Sequence, residues 1–233
     1  MAVVRRIGVT LEYYHFTSAK NGLKNLENRR IKASTLDKLN DPFELLGVEL
    51  SDKDLRSSIK EMKSKIAKKF GILCFSETWN NPVQWGHYAD HHQGLCLGFE
   101  IKKENIKKIN YVLKRLDSKM IQDSNCTMTL LTTKFSHWKY EKEHRSIVDL
   151  SKLTIDGSLY FQGFSESLKL TKVIIGSESK LTREDVRNKL SESEKNIPII
   201  HARAAFKEFK IVTDLSKRLK SPNKSHQHGQ FTA

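Results

Sequence analysis

Two glutamates flank a lysine at Glu141-Lys142-Glu143, within Trp138-Lys139-Tyr140-Glu141-Lys142-Glu143-His144-Arg145, which runs into the apolar Ser146-Ile147-Val148-Asp149-Leu150. On a strand the two carboxylates share one face, because side chains alternate. Side by side they repel unless a cation, a proton or a ligand separates them, which makes this stretch the first place to look for chemistry. The same residues also suit an exposed edge strand with solvated charges. His15 lies among aromatics in Leu11-Glu12-Tyr13-Tyr14-His15-Phe16-Thr17, with Thr17 on its strand face. It suits either a satisfied structural histidine or a donor aimed at a ribose or phosphate oxygen. Ser76 ends the apolar run from Gly71, and Trp85, His87 and Tyr88 follow within about one helical turn. That aromatic group suits core packing, or a face on which a flat heterocycle stacks.

A chain of 233 residues is long enough for one large domain or two small ones. Its net charge of +14 fits a lysine-rich soluble surface or an attraction to phosphates, whether RNA, DNA or a pyrophosphate compound. Cys74, Cys96 and Cys126 are odd in number and widely spaced, which fits reduced thiols in a cytoplasm better than a disulfide framework or a zinc pair. No apolar leader or bilayer-length stretch is present, so a cytoplasmic protein, or one exported without a cleavable signal, is expected, with no membrane partner.

No HExxH, EF-hand, Walker or GxGxxG motif occurs, and no GxSxG elbow. These absences argue against a Rossmann enzyme, a GTPase and a Ser-His-Asp hydrolase. The metal reading is weak: His91 and His92 are adjacent and diverge on a helix, and His226-Gln227-His228 lies in a polar tail.

The elements that must position these groups follow from pattern. Strands are predicted at 11–17, 30–34, 71–76, 94–101, 168–176, 197–201 and 209–212. Ser18 caps a short helix to Glu27, and Val83–Ala89 and Thr182–Leu190 form two more. Leu55, Ile59, Met62, Ile66 and Phe70 recur at helical spacing opposite a row of lysines. A second lysine-faced helix is predicted from Lys103, with Ile106, Ile109, Leu113, Leu116 and Met120 as its stripe, and Thr127–Phe135 is read as β-prone. Dispersed strands predict an α+β fold with flanking amphipathic helices, as one domain over 1–219 and a disordered polar tail over 220–233.

The segments Tyr14-His15-Phe16-Thr17, Asn40-Asp41-Pro42-Phe43-Glu44, Cys74-Phe75-Ser76-Glu77, Trp85-Gly86-His87-Tyr88-Ala89-Asp90 and Trp138 to Arg145 resemble a bacterial and phage family known only as domain of unknown function 2971. The order His15, Ser76, Tyr88, Glu141 and Glu143 is more loosely similar to the ADP-ribosyltransferase superfamily. That resemblance implies a split mixed β-sheet and NAD as the substrate or cofactor. It implies ADP-ribose transfer, with nucleic acid as one acceptor class and a toxin or antiphage-defence setting by analogy. It assigns Glu143 as the catalytic carboxylate with Glu141 secondary, and His15 to a ribose. It also gives Tyr88, with Trp85, Ser76 and Thr17, to cofactor binding. Arg145 is left as a pyrophosphate ligand or an internal partner of the glutamates. On this reading Glu143→Gln abolishes NAD consumption and barely changes the melting temperature.

Two other readings stand beside it. The lysine-faced helices suit a non-enzymatic nucleic-acid-binding protein, and the Glu, Lys and His residues suit a metal-dependent nuclease toxin.

Overall fold

The structure, a computed structural model, describes residues 9–217, so the expected tail over 220–233 and the domain end at 219 lie outside the described residues. β1 (Thr10–Thr17) carries the aromatic run around His15 and pairs along its whole length with β4 (Leu95–Lys102). On its other side, β3 (Phe70–Ser76) meets it only where Tyr14 faces Ser76. β3 in turn pairs fully with β8 (Glu143–Asp149), from Phe70 opposite Asp149 to Ser76 opposite Glu143. The sheet is thus two well-laddered blocks that touch at Tyr14 and Ser76 and open beyond that point.

β11 (Lys169–Ile175) adds to β4, β12 (Ile199–Ala204) to β11, and β13 (Ile211–Thr213) to β12. β5 (Lys107–Lys108) closes the far edge beside β8, giving the order β13-β12-β11-β4-β1-β3-β8-β5. The β11–β12 pair is parallel and the others are antiparallel, so the sheet is mixed. A smaller sheet joins β2 (Arg30–Ala33) to β10 (Leu159–Gly163) and β9 (Thr154–Asp156). β6 (Asn110–Val112) and β7 (Thr133–Phe135) form a short parallel pair.

The helices start where the sequence supplies caps. Ser18 Oγ accepts the Asn21 N–H at 3.3 Å to open α1 (Ala19–Glu27), and Asp52 accepts from Leu55 to open α2 (Lys53–Lys69). Asn81 accepts from Val83 at 2.8 Å and Pro82 takes the first position of α3 (Pro82–Tyr88). α4 spans Cys126–Leu131, and Thr182 with Asp185 forms a capping box on α5 (Arg183–Arg187). Leu26, Phe75, Leu97, Phe99 and Val186 share one apolar core. Ile59 and Ile66 of α2 meet Ile72 and Leu130 in a second, and Trp85, Cys96 and Ile174 form a third.

The fold is mixed α+β, as the dispersed strands predicted. Two local expectations fail. The helix predicted from Lys103 does not form: the segment is a one-turn 3-10 helix followed by β5 and β6. Ile106 and Ile109 are buried, but Leu113, on the same predicted stripe, is 78% exposed. No side chain caps the start at Lys103, and the exposed edge of β8 recruits Lys107 and Lys108 as strand partners. The predicted β-prone stretch is helical over α4, with only its last three residues in a strand. The β9–β10 hairpin was not predicted; Ile155, Leu159, Tyr160 and Phe161 supply apolar residues, but β9 is exposed throughout and β10 is half-buried only at its centre, so no alternating pattern marks it.

Candidate functional site

A cavity of about 390 Å³ occupies the opening between the two blocks of the sheet. His15 and Cys74 line it from β1 and β3, Lys38 and Asn40 from the loop after β2, and Tyr88 from α3. Glu44, Lys134, Glu141, Glu143 and Arg145 form its charged side.

The two glutamates converge on it, but not through strand alternation. Glu141 ends a 3-10 turn (Ser136–Glu141), Lys142 is left-handed at φ 45°, and Glu143 begins β8. The turn is pinned from below: Ser76 Oγ and Gln84 Nε2 donate to the Glu141 carbonyl at 2.7 and 2.9 Å. Asn81, the cap of α3, donates to the Tyr140 carbonyl at 3.2 Å. α3 stops just after Tyr88 because Asp90, His91 and His92 all take left-handed backbone, at φ 50°, 51° and 68°. The chain can fold back there only because Gly94 and Gly176 lack side chains: a Cβ would lie 2.2 Å from Thr17 O or 2.0 Å from His92 O.

Lys134 sits between the carboxylates, 2.6 Å from Glu141 Oε2 and 3.0 Å from Glu143 Oε2. Arg145 donates through Nε to Glu143 at 2.7 Å and through both terminal nitrogens to Glu44 at 2.5 and 2.8 Å. Its two remaining N–H groups go to Leu131 O at 2.8 Å and Glu143 Oε2 at 3.1 Å. All five guanidinium donors are therefore spent. The side chains of Lys134, Glu141, Glu143 and Arg145 are at most 6% exposed.

Burial pushes the Glu143 carboxyl up, but the charges of Arg145 and Lys134 outweigh it and hold the group at about 2. Glu141 goes the other way: burial raises it, Glu143 adds to the rise, and Lys134 and Tyr88 only partly counter them. The buried cluster holds three carboxylates, Glu44, Glu141 and Glu143, against two cations, Lys134 and Arg145. Glu141 is the carboxylate left with half a share of one cation, and the Tyr88 hydroxyl donates to it at 2.5 Å. Asn40 in turn donates to that hydroxyl at 3.0 Å. Burial, reinforced by the charge of Glu141, pushes the Tyr88 phenol far up, so it stays a donor.

His15 lines the cavity as expected, but in a different role. Its Nδ1 lies 3.0 Å from the Cys74 carbonyl, which can only accept, so the ring proton is on Nδ1. Burial lowers its pKa, which keeps the ring neutral and leaves Nε2 as an acceptor, not a donor for phosphate. The Cys74 thiol faces the cavity, but burial and then Glu143 hold it well above its usual pKa, which excludes a thiolate nucleophile.

Two sequence assignments are corrected, and one of the two roles left open for Arg145 is ruled out. Trp85 is fully buried, packs edge-on to Phe16 at 5.3 Å and gives its indole N–H to Trp79 O, so no ligand can stack on it. Thr17 is buried against Gly22 of α1 and does not line the cavity. Arg145 has no donor left for a pyrophosphate and is the internal partner of Glu44 and Glu143. Ser76 lines the cavity, but its hydroxyl is used to hold the Glu141 turn.

Lys134, Glu44, Lys38 and Asn40 escaped attention as site residues. Lys134 had a signal, as a lone cation in the β-prone run from Leu130 to Phe135. Among the described residues, no three His, Cys, Asp or Glu side chains are placed to hold a metal ion, and no helix is long and apolar enough to cross a membrane. No protein-family model, curated protein or solved structure matches the chain.

Proposed function

We propose that this cavity binds NAD and cleaves its nicotinamide–ribose bond for ADP-ribosyl transfer, on an ADP-ribosyltransferase-like split sheet. The observation that carries the reading is the under-compensated carboxylate of Glu141, which shares its one cation with Glu143 and faces a cavity beside an aromatic ring. Breaking that bond sends its electron pair out with neutral nicotinamide and leaves positive charge on the ribose. A carboxylate short of cationic partners stabilises that charge more in the transition state than in the ground state. The opening between β1 and β3 supports the split-sheet assignment.

The roles follow from the contacts. Glu141 replaces Glu143 as the stabilising carboxylate, because both Glu143 oxygens are held by cations, Arg145 and Lys134, whereas Glu141 has the shared Lys134 on Oε2 and only the neutral Tyr88 hydroxyl on Oε1. Glu143 keeps Lys134 in place. Tyr88 and the exposed His87 flank the nicotinamide, and His15 Nε2 accepts from a ribose hydroxyl. Lys38 is exposed at the rim and makes no ion pair among the described residues, so it takes the pyrophosphate role once given to Arg145. The cavity is at the small end for a cofactor site, so it takes the nicotinamide-ribose end and leaves the adenosine toward the rim.

Glu141→Gln tests this directly. It should reduce nicotinamide release at least a hundredfold while NAD still shifts the melting curve. Wild-type protein that neither binds NAD nor releases nicotinamide with acceptors present would end the proposal. The non-enzymatic nucleic-acid reading rests on lysine-faced helices and on the net charge of +14; of those helices, the one at Lys53–Lys69 forms and the one expected from Lys103 does not.

A further inference from the structure

A second groove, of about 240 Å³, backs onto the cavity and shares Lys134 with it. Phe43, Leu113 and Phe135 line it, 54%, 78% and 39% exposed, a cost no monomer core explains. Lys114 and Arg115 line it too, and the Arg115 guanidinium lies 5.6 Å from the Phe43 ring centre. The aromatic surface continues toward the cavity mouth. Phe135 stacks on His137 at 4.4 Å, while Trp138 leads to Tyr140 at 6.1 Å and Tyr140 to His87 at 6.0 Å. Lys139 and Lys142 are exposed beside this line. From Lys134 to Lys142 the single carboxylate is Glu141, and it is buried, so this stretch presents only cations at its surface, with Glu77 the acid near Lys142.

We infer that this aromatic and cationic surface binds single-stranded nucleic acid and leads it to the cavity. Exposed rings interleaved with lysine and arginine match unpaired bases, which stack on aromatic faces while phosphates meet the cations. A duplex hides its base faces and gains nothing from Phe43 or Phe135. A protein partner would have to match both the apolar rings and the charges of Lys114, Arg115, Lys139 and Lys142, which a single strand does with one repeating unit of base and phosphate. The groove meets the cavity across Lys134, so a strand lying in it brings its backbone and base edges near Glu141. Its role as the ADP-ribose acceptor rests on the NAD reading; the binding surface does not.

Fluorescence anisotropy with labelled single-stranded DNA and RNA of roughly 12 nucleotides, and the matching duplex, tests it over a salt series. Single strands should bind, weaken steeply as salt rises, and outcompete the duplex. The DNA and RNA arms identify which strand is preferred. Phe43→Ala with Phe135→Ala should weaken binding about tenfold or more. Lys114→Glu with Arg115→Glu, on exposed side chains that carry no core packing, should weaken it and flatten the salt dependence. No single-strand binding, a preference for duplex, indifference to both double variants, or a stable dimer that buries Phe43 and Phe135 overturns the inference. Nicotinamide release measured on the same samples separates the two proposals: NAD cleavage without strand binding removes the surface alone, and strand binding without NAD cleavage removes the enzyme alone.

Discussion

The same trio of side chains occurs twice in this molecule, with opposite results. Glu12 accepts from the Tyr14 hydroxyl at 2.6 Å and from Lys172 at 2.8 Å. Glu141 accepts from the Tyr88 hydroxyl at 2.5 Å and from Lys134 at 2.6 Å. Glu12 and Lys172 are about 30% exposed, at 31% and 28%, and a third donor, Thr171, adds to them. Burial raises Glu12 somewhat, but its donors outweigh that and its pKa falls. Glu141 is buried and shares its lysine with Glu143, and its pKa rises. A tyrosine, a glutamate and a lysine therefore do not define a site. Desolvation and a competing like charge decide whether the carboxylate is a settled ion or a group waiting for positive charge.

The largest effect should come from the centre of the buried cluster. Arg145→Ala leaves Glu44 and Glu143 buried without their partner, and about 3–5 kcal/mol of stability should go. Lys172→Ala, at the solvated counterpart, should cost under about 1 kcal/mol. Urea denaturation of both variants compares them, and equal losses would erase the contrast.

The two glutamates should then separate by pH. The folded pKa of Glu143 is depressed from 4.5 to about 2, so its contribution is present above 4.5 and lost as pH falls toward 2. The folded pKa of Glu141 is raised, so its contribution is present below 4.5 and lost as pH rises through the folded value. Glu143→Gln should destabilise the protein at neutral pH and remove the acid-side loss. Glu141→Gln should be neutral or stabilising at neutral pH. The expectation that Glu143→Gln spares the melting temperature is thus replaced by the same expectation for Glu141→Gln. Urea midpoints across pH 2–8 check both signs, and parallel curves for the two variants would refute the division of roles.

A smaller effect than at Arg145 is expected at the phenols. Tyr88→Phe removes a buried donor to Glu141 and should cost about 1 kcal/mol, more than Tyr14→Phe at the half-exposed Glu12. Thermal melts of the two variants check the order.

Much of this was legible in the residues. The caps at Ser18 and Thr182, the 3.6-residue period of α2 and the apolar runs of β3, β4 and β11 are local signals that the structure keeps. His15, Tyr88, Glu141 and Glu143 were chosen on type and spacing, and the fold brings all of them to one cavity. What failed was local pattern overridden from a distance. The stripe after Lys103 has helical spacing, but the unpaired edge of β8 is satisfied only by a strand. Trp85 looked like a stacking platform because indole suits either a ligand or a core, and only packing against Phe16 and Ile174 chooses between them.

By itself, the sequence determined the composition of the site: two glutamates two residues apart, a tyrosine-bearing helix, a histidine on an aromatic strand, and a strongly basic chain. Only the tertiary structure decided which glutamate lacks a cation of its own. Lys134 and Glu44 are distant from that stretch in pattern if not always in number, and no spacing rule links them to it. A carboxylate's charge state depends on how much water it keeps and which ions lie within a few ångströms. Those are set by where β7, β8 and the loop after β2 come together, which is why Glu141-Lys142-Glu143 holds one settled ion and one unsettled one.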